Sequence, residues 1–190
     1  MNASAFVDVR AVTDSIIRIR VVKDGSRRPE DARWAVPADM RQKSIEVRPA
    51  HDGFQTKSLS VRIDPVTLRL TVTDLQGRAI VTDTGRAVSF DGAGFTFRKE
   101  VRAGEQFYAL GDKTGPFNRR GASYVNWTTD AWGFDRGTDP IYKSIPFYIA
   151  SGGPGGAYGL FLDNSFRSSF DFAHRDENAI EISADGGALD

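Results

Sequence analysis

The run GDKTGPFNRRG at residues 111–121 is the first stretch whose residue types could do chemistry. A Lys-Thr pair among glycines, with two arginines close behind, has the composition of a loop that cradles phosphate. A phosphate-binding loop, however, reads GxxxxGK followed by Ser or Thr, and it lies between a buried strand and a helix. Here the spacing differs, Pro116 follows at once, and no helical pattern comes after it. The sequence therefore argues against nucleotide binding.

Carboxylates near this run offer another use for its basic residues. Asp112 lies within it, and Asp135 and Asp139 follow in the stretch GFDRGTD. We predict that the lysine and arginines pair with these aspartates and brace a structured loop. Exposed pairs of this kind contribute ~0–1 kcal/mol each, and partly buried ones fix a loop more firmly.

The run DNSFRSSFDF, at residues 163–172, also carries two carboxylates that could suggest catalysis. Period-2 alternation instead predicts a strand whose three phenylalanines, at positions 166, 170 and 172, face the core. We interpret Asp163 and Arg167 as a structural ion pair. His51 and His174 are isolated in the sequence and indicate no metal site, and no residue pattern calls for a cofactor.

Composition excludes several classes of protein. The chain has 190 residues, with 25 basic and 25 acidic residues mixed along its length and no cysteine. Balanced charge argues against a nucleic-acid surface or a basic membrane-binding face, and the lack of cysteine excludes disulfides and thiolate chemistry. Residues 1–10 show no apolar run of signal-peptide length, and no segment approaches the ~20 apolar residues of a membrane helix. These features predict one soluble globular domain and leave its compartment undetermined.

Short alternating segments recur through most of the chain and set the expected fold. We predict strands at residues 5–12, 16–22, 59–63, 68–73, 79–82, 95–99, 107–110, 147–150, 158–163, 168–172 and 179–183. Residues 68–82 read as a hairpin closed by Gly77. No window shows convincing helical amphipathicity. The predicted fold class is all-β, an antiparallel β-sandwich.

Two regions depart from this background. Residues 25–42 are polar and strand-poor, and we predict a loop that Trp34 pins to the body. Residues 107–172 hold 15 of the 21 aromatic residues of the chain. This number of aromatic residues exceeds what one face of a sandwich needs for its core. It therefore predicts a surface that packs against another part of a protein or binds a ligand.

Residues 107–172 closely resemble the N-terminal β-sandwich domain of glycoside hydrolase family 31, the retaining α-glucosidases and α-xylosidases. The resemblance rests on KTGPFNRRG, on NWTTDAWGFDRGTDPIYKSIPF and on GLFLDNSFRSSFDF. RIRVV, the Trp34 loop and LRLTVTDLQGR fit the first strands of that domain more loosely. Ala109 stands where the family usually has glycine, and Asp112 stands in place of a glutamate.

The resemblance implies a galactose-mutarotase-like supersandwich that belongs to a larger glycosidase, and it favours an α-glucosidase that acts on an oligosaccharide. In the family, both catalytic carboxylates lie on a (β/α)8 barrel that follows this domain. The present sequence shows no barrel pattern, and at Asp190 the family's sandwich would still have strands to add. We therefore expect residues 1–190 to be one truncated domain without hydrolytic activity of its own, with no catalytic residue.

By the same resemblance, the loop NWTTDAWGFD reaches over the barrel, and Asp130 matches the aspartate that contacts the sugar. An ionised carboxylate accepts hydrogen bonds from two neighbouring sugar hydroxyls, each contributing ~1.5–3 kcal/mol. Trp127 and Trp132 flank Asp130 and could offer ring faces to the sugar. The alternatives are an Asx-turn at Asp130 and packing of Trp127 beneath the loop.

A free-standing carbohydrate-binding module and a mutarotase-like epimerase are the alternative functions for this sequence. A free-standing carbohydrate-binding module would need an exposed aromatic platform that works without a partner domain. A mutarotase-like epimerase would need a histidine acid facing a glutamate base, and the two histidines and six glutamates show no such pairing. Uncovered edge strands and an uncovered aromatic surface also predict self-association of the chain, as a dimer.

Overall fold

The computed structural model describes residues 5–23 and 35–190, and within these ranges the chain is almost entirely β-structure. The strands and the one short helix of the described residues are β1 (Ala5–Ala11), β2 (Ile17–Lys23), α1 (Ala38–Gln42), β3 (Arg48–Ala50), β4 (Gly53–Gln55), β5 (Leu59–Ile63), β6 (Leu70–Asp74), β7 (Ala79–Asp91), β8 (Gly94–Glu100), β9 (Gln106–Gly111), β10 (Ala122–Asn126), β11 (Ser144–Gly153), β12 (Gly156–Phe161), β13 (Ser168–Phe172) and β14 (Ala179–Ala184).

One layer of the molecule is a nine-stranded antiparallel sheet in the order β10-β13-β14-β8-β7-β6-β5-β4-β3. Its β6–β7 hairpin forms at the predicted place, where Asp74 accepts hydrogen bonds from the backbone N–H groups of Gln76 and Arg78 and Gly77 has a φ of +80°. The far edge strand, β3, has three exposed residues, among them Pro49.

The opposing layer consists of two smaller antiparallel sheets. One has the order β12-β11-β9 and the other is the β1–β2 hairpin. Apolar side chains from both layers meet in a main core, which contains Phe107, Tyr148, Phe170, Phe172 and Ile180, each fully buried. A smaller core lies between β1–β2 and the β4–β6 part of the large sheet. The antiparallel sandwich predicted from alternation is confirmed.

Several elements differ from the sequence-based expectation. Strands β3, β4 and β10 were not predicted, and strand β7 is much longer than residues 79–82. Within the strand-poor stretch 25–42, residues 38–42 form helix α1. The predicted role of Trp34 falls outside the described residues. Arg41 instead holds helix α1, because its Nε donates to the carbonyl of Val36 at 2.8 Å and its guanidinium pairs with Asp163 at 2.8 Å.

Candidate functional site

The loop that joins β10 to β11, residues 127–143, carries the three predicted site residues: Trp127, Asp130 and Trp132. It leaves the nine-stranded sheet at Asn126 and enters the opposing layer at Ser144, so it crosses one end of the sandwich. We call it the aromatic loop.

Asp130 lies between two residues that are fixed to the far side of the aromatic loop. On one side, Thr129 donates from Oγ1 to the carbonyl of Pro140 at 2.9 Å. On the other, the hydroxyl of Tyr142 donates to the carbonyl of Ala131 at 2.9 Å. Phe134 packs edge-on against the Tyr142 ring, with 5.6 Å between centroids. The backbone on both sides of Asp130 is therefore held in place.

The side chain of Asp130 is exposed, and its carboxylate makes no hydrogen bond or ion pair with any residue that the structure describes. Its backbone carbonyl accepts from the N–H of Trp132 at 3.2 Å, which forms a tight turn without the carboxylate. An Asx-turn would need the carboxylate to accept that hydrogen bond. The carboxylate thus remains available to a ligand.

The two tryptophans beside Asp130 are exposed to different degrees. Trp132 is 97% exposed, and Trp127 is 45% exposed. A large aromatic side chain removes some 150–250 Å² from water when it is buried, so the exposed Trp132 ring leaves a large apolar area on the surface of the aromatic loop. Trp127 is thus partly packed against the protein and partly accessible, which is compatible with both of its predicted roles.

A buried ion pair anchors the base of the aromatic loop. The ammonium of Lys113, whose side chain has no solvent exposure, lies 2.9 Å from Asp139 and also donates to the carbonyl of Val125. The other carboxylate oxygen of Asp139 accepts from the N–H of Val125. Burial lowers the pKa of Lys113, and the Asp139 carboxylate partly offsets that effect. The predicted pairing of Lys113 with a loop aspartate is confirmed for Asp139.

The arginines of the GDKTGPFNRRG run bind backbone carbonyls rather than aspartates. Arg119 donates to the carbonyls of Thr114 and Pro116, at 3.2 and 2.8 Å. Arg120 donates to those of Arg102 and Glu105, at 3.0 and 2.8 Å. The predicted pairing of these two arginines with aspartates is therefore wrong. Backbone carbonyls of neighbouring bends accept the hydrogen bonds of the guanidinium groups instead. Arg119 thus stabilises the 111–121 run from within, and Arg120 ties it to the connection between β8 and β9.

Asp135 braces the aromatic loop, as predicted. Its carboxylate accepts hydrogen bonds from the N–H of Gly137 at 2.8 Å and from the hydroxyl of Thr138 at 3.0 Å. These hydrogen bonds lower the pKa of Asp135 below its usual value of 3.8. Asp135 differs in this respect from Asp130, whose carboxylate has no such partner among the described residues.

A cleft of about 680 Å³ opens beside the aromatic loop, at the end of the sandwich where β10 and β12 end and β11 begins. Trp127, Phe161 and Phe166 supply aromatic walls. Asn126 and Ser144 line it as well, and their buried amide and hydroxyl groups have no hydrogen-bond partner among the residues described. No pattern in the sequence predicts this cleft, because its walls come from segments that are separated along the chain.

Two predictions for the DNSFRSSFDF run are wrong. Asp163 pairs with Arg41 rather than with the exposed Arg167. Phe166 is 52% exposed, whereas Phe170 and Phe172 are fully buried as predicted. The error at Phe166 arises because strand β13 begins only at Ser168, so the alternation does not extend back to this residue. The error at Asp163 arises because its partner, Arg41, comes from a distant segment of the chain.

Asp171 has a structural role. It is 4% exposed, and it accepts hydrogen bonds from the hydroxyl of Ser123 and from the N–H of His174. Burial by itself would raise the pKa of Asp171, but these hydrogen bonds and the nearby Arg175 outweigh it and lower the pKa below 3.8. His51 contacts Asp52, and His174 contacts the carbonyl of Gly121. Within ranges 5–23 and 35–190, no group of three acidic, histidine or cysteine side chains could hold a metal ion.

Comparison with known proteins identifies the family. The model of the glycosyl hydrolase 31 N-terminal galactose mutarotase-like domain matches residues 7–171, which is most of the chain. The chain belongs to this family. The match includes the whole aromatic loop and its anchor at Lys113, so the braced loop lies within the family 31 domain itself.

Relatives of this family 31 domain include two enzymes much longer than it. The chain is 34% identical over 125 residues to alpha-glucosidase 2 from Bacillus thermoamyloliquefaciens, covering 64% of the chain and 16% of the relative. It is 30% identical over 104 residues to an alpha-xylosidase from Emericella nidulans, covering 54% of the chain and 12% of the relative. The chain thus spans about a sixth or less of the length of these relatives.

A solved structure supports the fold of the family 31 domain over nearly its full length. A dextranase of family 31 from Flavobacterium johnsoniae, in complex with isomaltotriose, superimposes with a TM-score of 0.84 at 24% identity. The match covers 99% of the chain and 23% of the dextranase chain. The described part of the present chain has no helix of the length and hydropathy that crossing a membrane requires.

Proposed function

We propose that this chain acts as the N-terminal domain of a retaining α-glycosidase, with an α-glucosidase as the first activity to test. In this proposal the domain supports a catalytic (β/α)8 barrel in the same protein and contributes the aromatic loop to the substrate pocket. The observation that carries the proposal is the match to the family 31 domain over residues 7–171, together with the carboxylate of Asp130 held ready on that loop.

The chemistry of Asp130 suits a sugar ligand. Its carboxylate is a pure acceptor, and two adjacent sugar hydroxyls are donors at the spacing of its two oxygens. Because Thr129 and Ala131 are already fixed, little conformational entropy is lost when the sugar binds. Asp130 is therefore proposed as a substrate-binding residue, and Trp127 and Trp132 as the rings that cover the apolar face of the sugar or of the barrel.

The chain by itself is proposed to be inactive. Retaining hydrolysis needs two carboxyl groups ~5–5.5 Å apart, one as nucleophile and one as acid and base. The loop carboxylates beside Asp130 are committed elsewhere: Asp135 to its own turn and Asp139 to Lys113. Asp130 therefore has no second carboxylate available on the aromatic loop. Measurable turnover of an aryl α-glucoside by this chain would contradict the proposal.

A chimera tests the role of the domain directly. In the chimera, this chain replaces the matching segment of alpha-glucosidase 2 from Bacillus thermoamyloliquefaciens. We expect the chimera to hydrolyse an aryl α-glucoside, and we expect Asp130→Asn to lower its kcat/KM roughly 10- to 100-fold through the loss of charge-assisted hydrogen bonds. Asp112→Asn is the matched control, because Asp112 is also exposed but lies outside the aromatic loop. An equal loss in both variants would contradict a specific role of Asp130.

The second candidate is a free-standing carbohydrate-binding module, and the full exposure of Trp132 favours it. Exposed tryptophan rings beside a carboxylate form a platform on which a sugar can stack without a partner domain. Calorimetric titration of the chain with maltose separates the two functions. Millimolar or tighter binding that Trp132→Ala abolishes would support the module, and its absence would support the domain of a larger enzyme.

The exposed aromatic surface also leads us to propose that the isolated chain self-associates as a dimer. Trp132, Phe134 and Trp127 together expose a large apolar area on one loop. Light scattering after size exclusion should show a dimer that Trp132→Ala weakens. A monomer at high concentration would refute this proposal.

A further inference from the structure

The inner face of the nine-stranded sheet ends in polar residues beside the cleft. In β10, Tyr124 is buried in the main core, and Asn126 lies two residues further along the strand, so both side chains face inward. Asn126 pairs with Ser168 of β13, which lies on the same face as the fully buried Phe170. Asn126 and Ser168 are both buried, and both line the cleft. The apolar core therefore ends at a polar floor beneath the cleft.

Three polar atoms of this floor have no hydrogen-bond partner among the described residues. They are Oδ1 and Nδ2 of Asn126 and Oγ of Ser144, the first residue of β11, and all three are buried. Most buried polar side-chain atoms in proteins have a partner, because a buried atom without one destabilises the fold. Two such side chains in one cleft indicate that a ligand supplies the missing donors and acceptors. Because the atoms are buried, the ligand group that reaches them must be small, such as a hydroxyl.

Two aromatic walls of the cleft are held in place. The Phe166 ring lies against two glycines, since a Cβ atom added at Gly186 or Gly187 would come within 2.9 or 2.8 Å of it. Asn164 fixes the same segment, because its side chain accepts from the N–H of Phe166 at 2.7 Å and donates to the carbonyl of Gly186 at 2.8 Å. Phe161 belongs to the β11–β12 ladder. Phe166 and Phe161 nevertheless remain partly exposed, so ring surface is available to a ligand.

The charge of the cleft favours a neutral ligand. Among the described lining residues, Asp163 is the one ionisable side chain, and its carboxylate lies 2.8 Å from the guanidinium of Arg41. Thr128 and Ser165 add exposed hydroxyl groups to the lining. An anion would meet no cationic side chain among these lining residues, and a cation would have to compete with Arg41 for Asp163. The groups that remain are amide, hydroxyl and aromatic.

A pyranose sugar has the chemistry that these groups require. Each sugar hydroxyl both donates and accepts, so two neighbouring hydroxyls can satisfy the acceptor and the donor of the Asn126 amide together. The C–H faces of the sugar ring are apolar and match the ring faces of Trp127, Phe161 and Phe166. The cleft volume of about 680 Å³ lies within the ~300–1,000 Å³ that is typical of small-molecule sites. A mono- or disaccharide therefore suits the cleft.

We propose that this cleft is a second sugar-binding site. In it, the Asn126 amide and the Ser144 hydroxyl bind hydroxyl groups of a neutral sugar, and the three aromatic side chains pack against the sugar ring. The site is distinct from the one proposed at Asp130, because neither Asp130 nor Trp132 lines the cleft and only Trp127 belongs to both. It requires neither the Asp130 carboxylate nor hydrolysis, so it goes beyond the proposed function.

Nuclear magnetic resonance of the isotope-labelled chain tests the proposal, with glucose, xylose and maltose as probes. We expect millimolar sugar to shift the side-chain amide signals of Asn126. Binding followed at the indole N–H of Trp127 should weaken at least about tenfold in Asn126→Leu and about threefold in Ser144→Ala, through lost hydrogen bonds. Asp112→Asn is the control and should leave this binding unchanged, because Asp112 is exposed and does not line the cleft.

The same titrations contain the results that would overturn the proposal. Shifts at the Trp132 indole without shifts at the Asn126 amide would place the sugar on the aromatic loop alone. That result would refute the second site and would leave the proposed role of Asp130 standing. The absence of any shift with all three sugars would refute the second site as well, and so would equal binding by Asn126→Leu and the unsubstituted chain.

Thermal unfolding provides a readout that a purely structural role of Asn126 would reverse. Asn126→Leu removes two unpaired polar atoms from a buried position, so it should raise Tm by roughly 2–4 °C in the absence of sugar. Sugar at about ten times its Kd should raise the Tm of the unsubstituted chain by roughly 3–6 °C, and that of Asn126→Leu by at most about a third as much. A lower Tm for Asn126→Leu without sugar would mean that the fold itself needs the amide, and would overturn the proposal.

Discussion

The buried pair of Lys113 and Asp139 should make the chain respond very differently to the loss of one partner or the other. Asp139→Asn leaves the Lys113 ammonium without a countercharge at a fully buried position, and it also places an amide N–H against the N–H of Val125. Removing one partner of a buried ion pair costs about 3–5 kcal/mol, so we expect a loss of this size. For a chain of this length that corresponds to a Tm decrease of roughly 6–20 °C.

Lys113→Met should cost less. It leaves Asp139 18% exposed and still bound to Val125, so the remaining carboxylate keeps a hydrogen bond and some hydration. We expect a loss of about 1–2 kcal/mol. The double variant should be more stable than the sum of the two losses predicts, because no uncompensated buried charge remains in it.

Urea unfolding of the unsubstituted chain, the two single variants and the double variant provides the measurement. Equal m-values would confirm that shifts in the unfolding midpoint report changes in the free energy of unfolding. Tryptophan fluorescence reports on the aromatic loop through Trp127 and Trp132, and far-ultraviolet circular dichroism reports on the sheets. Burial already lowers the pKa of Lys113, so the Asp139→Asn loss should shrink as the pH rises through the lowered pKa of Lys113 and the amine becomes neutral. A loss below about 1 kcal/mol for Asp139→Asn, or strict additivity, would refute the reasoning.

Three further predictions address single positions. Ala109 has a φ of +84°, in the left-handed region that favours glycine, so Ala109→Gly should raise the free energy of unfolding by about 0.5–1 kcal/mol in urea titration. Leu110 has a similar φ of +76°, but its side chain is fully buried. Leu110→Gly should therefore lower the free energy of unfolding by about 2–5 kcal/mol in the same titration. Asp171 has a lowered pKa, so its stabilising contribution is present above pH 3.8 and is lost as pH falls through its folded-state pKa. Asp171→Asn should therefore reduce the decrease in Tm that occurs at acidic pH. An unchanged decrease in Tm would contradict the stabilising role of the Asp171 carboxylate. Asp130→Ala should leave Tm nearly unchanged, whereas Asp135→Ala should lower it, because the Asp135 carboxylate accepts hydrogen bonds within its turn and the Asp130 carboxylate has no partner among the described residues. A larger Tm loss at Asp130 than at Asp135 would mean that Asp130 caps a turn after all.

The sequence was sufficient to predict elements in which side chains alternate cleanly. Strands β1, β2, β5, β13 and β14 lie within a residue of their predicted bounds, because one face of each is apolar. Strand β10 was missed because Asn126 occupies an inward position, where a polar residue hides the alternation. Phe166 was misplaced for the opposite reason, since an apolar residue just outside strand β13 extended the pattern.

Local chemistry of the candidate site was also predictable, but its long-range contacts were not. The bracing role of Asp135 and the pairing of Asp139 with Lys113 were predicted from charged residues that lie near one another in the sequence. The partner of Asp163 does not, because Arg41 comes from a distant segment that only the folded chain brings near. The same holds for the cleft beside Trp127, whose aromatic walls come from two separate segments, with Trp127 on one and Phe161 and Phe166 on the other.

The proline in strand β3 has a consequence for assembly. A nine-stranded sheet offers a long row of backbone donors and acceptors to any chain that reaches its outer side, and sheets of this kind can grow into fibrils. Here the outermost strand is only three residues long, and Pro49 has no N–H to offer a neighbour. Molecules of this protein are therefore discouraged from stacking edge to edge at this strand, even when the protein is concentrated.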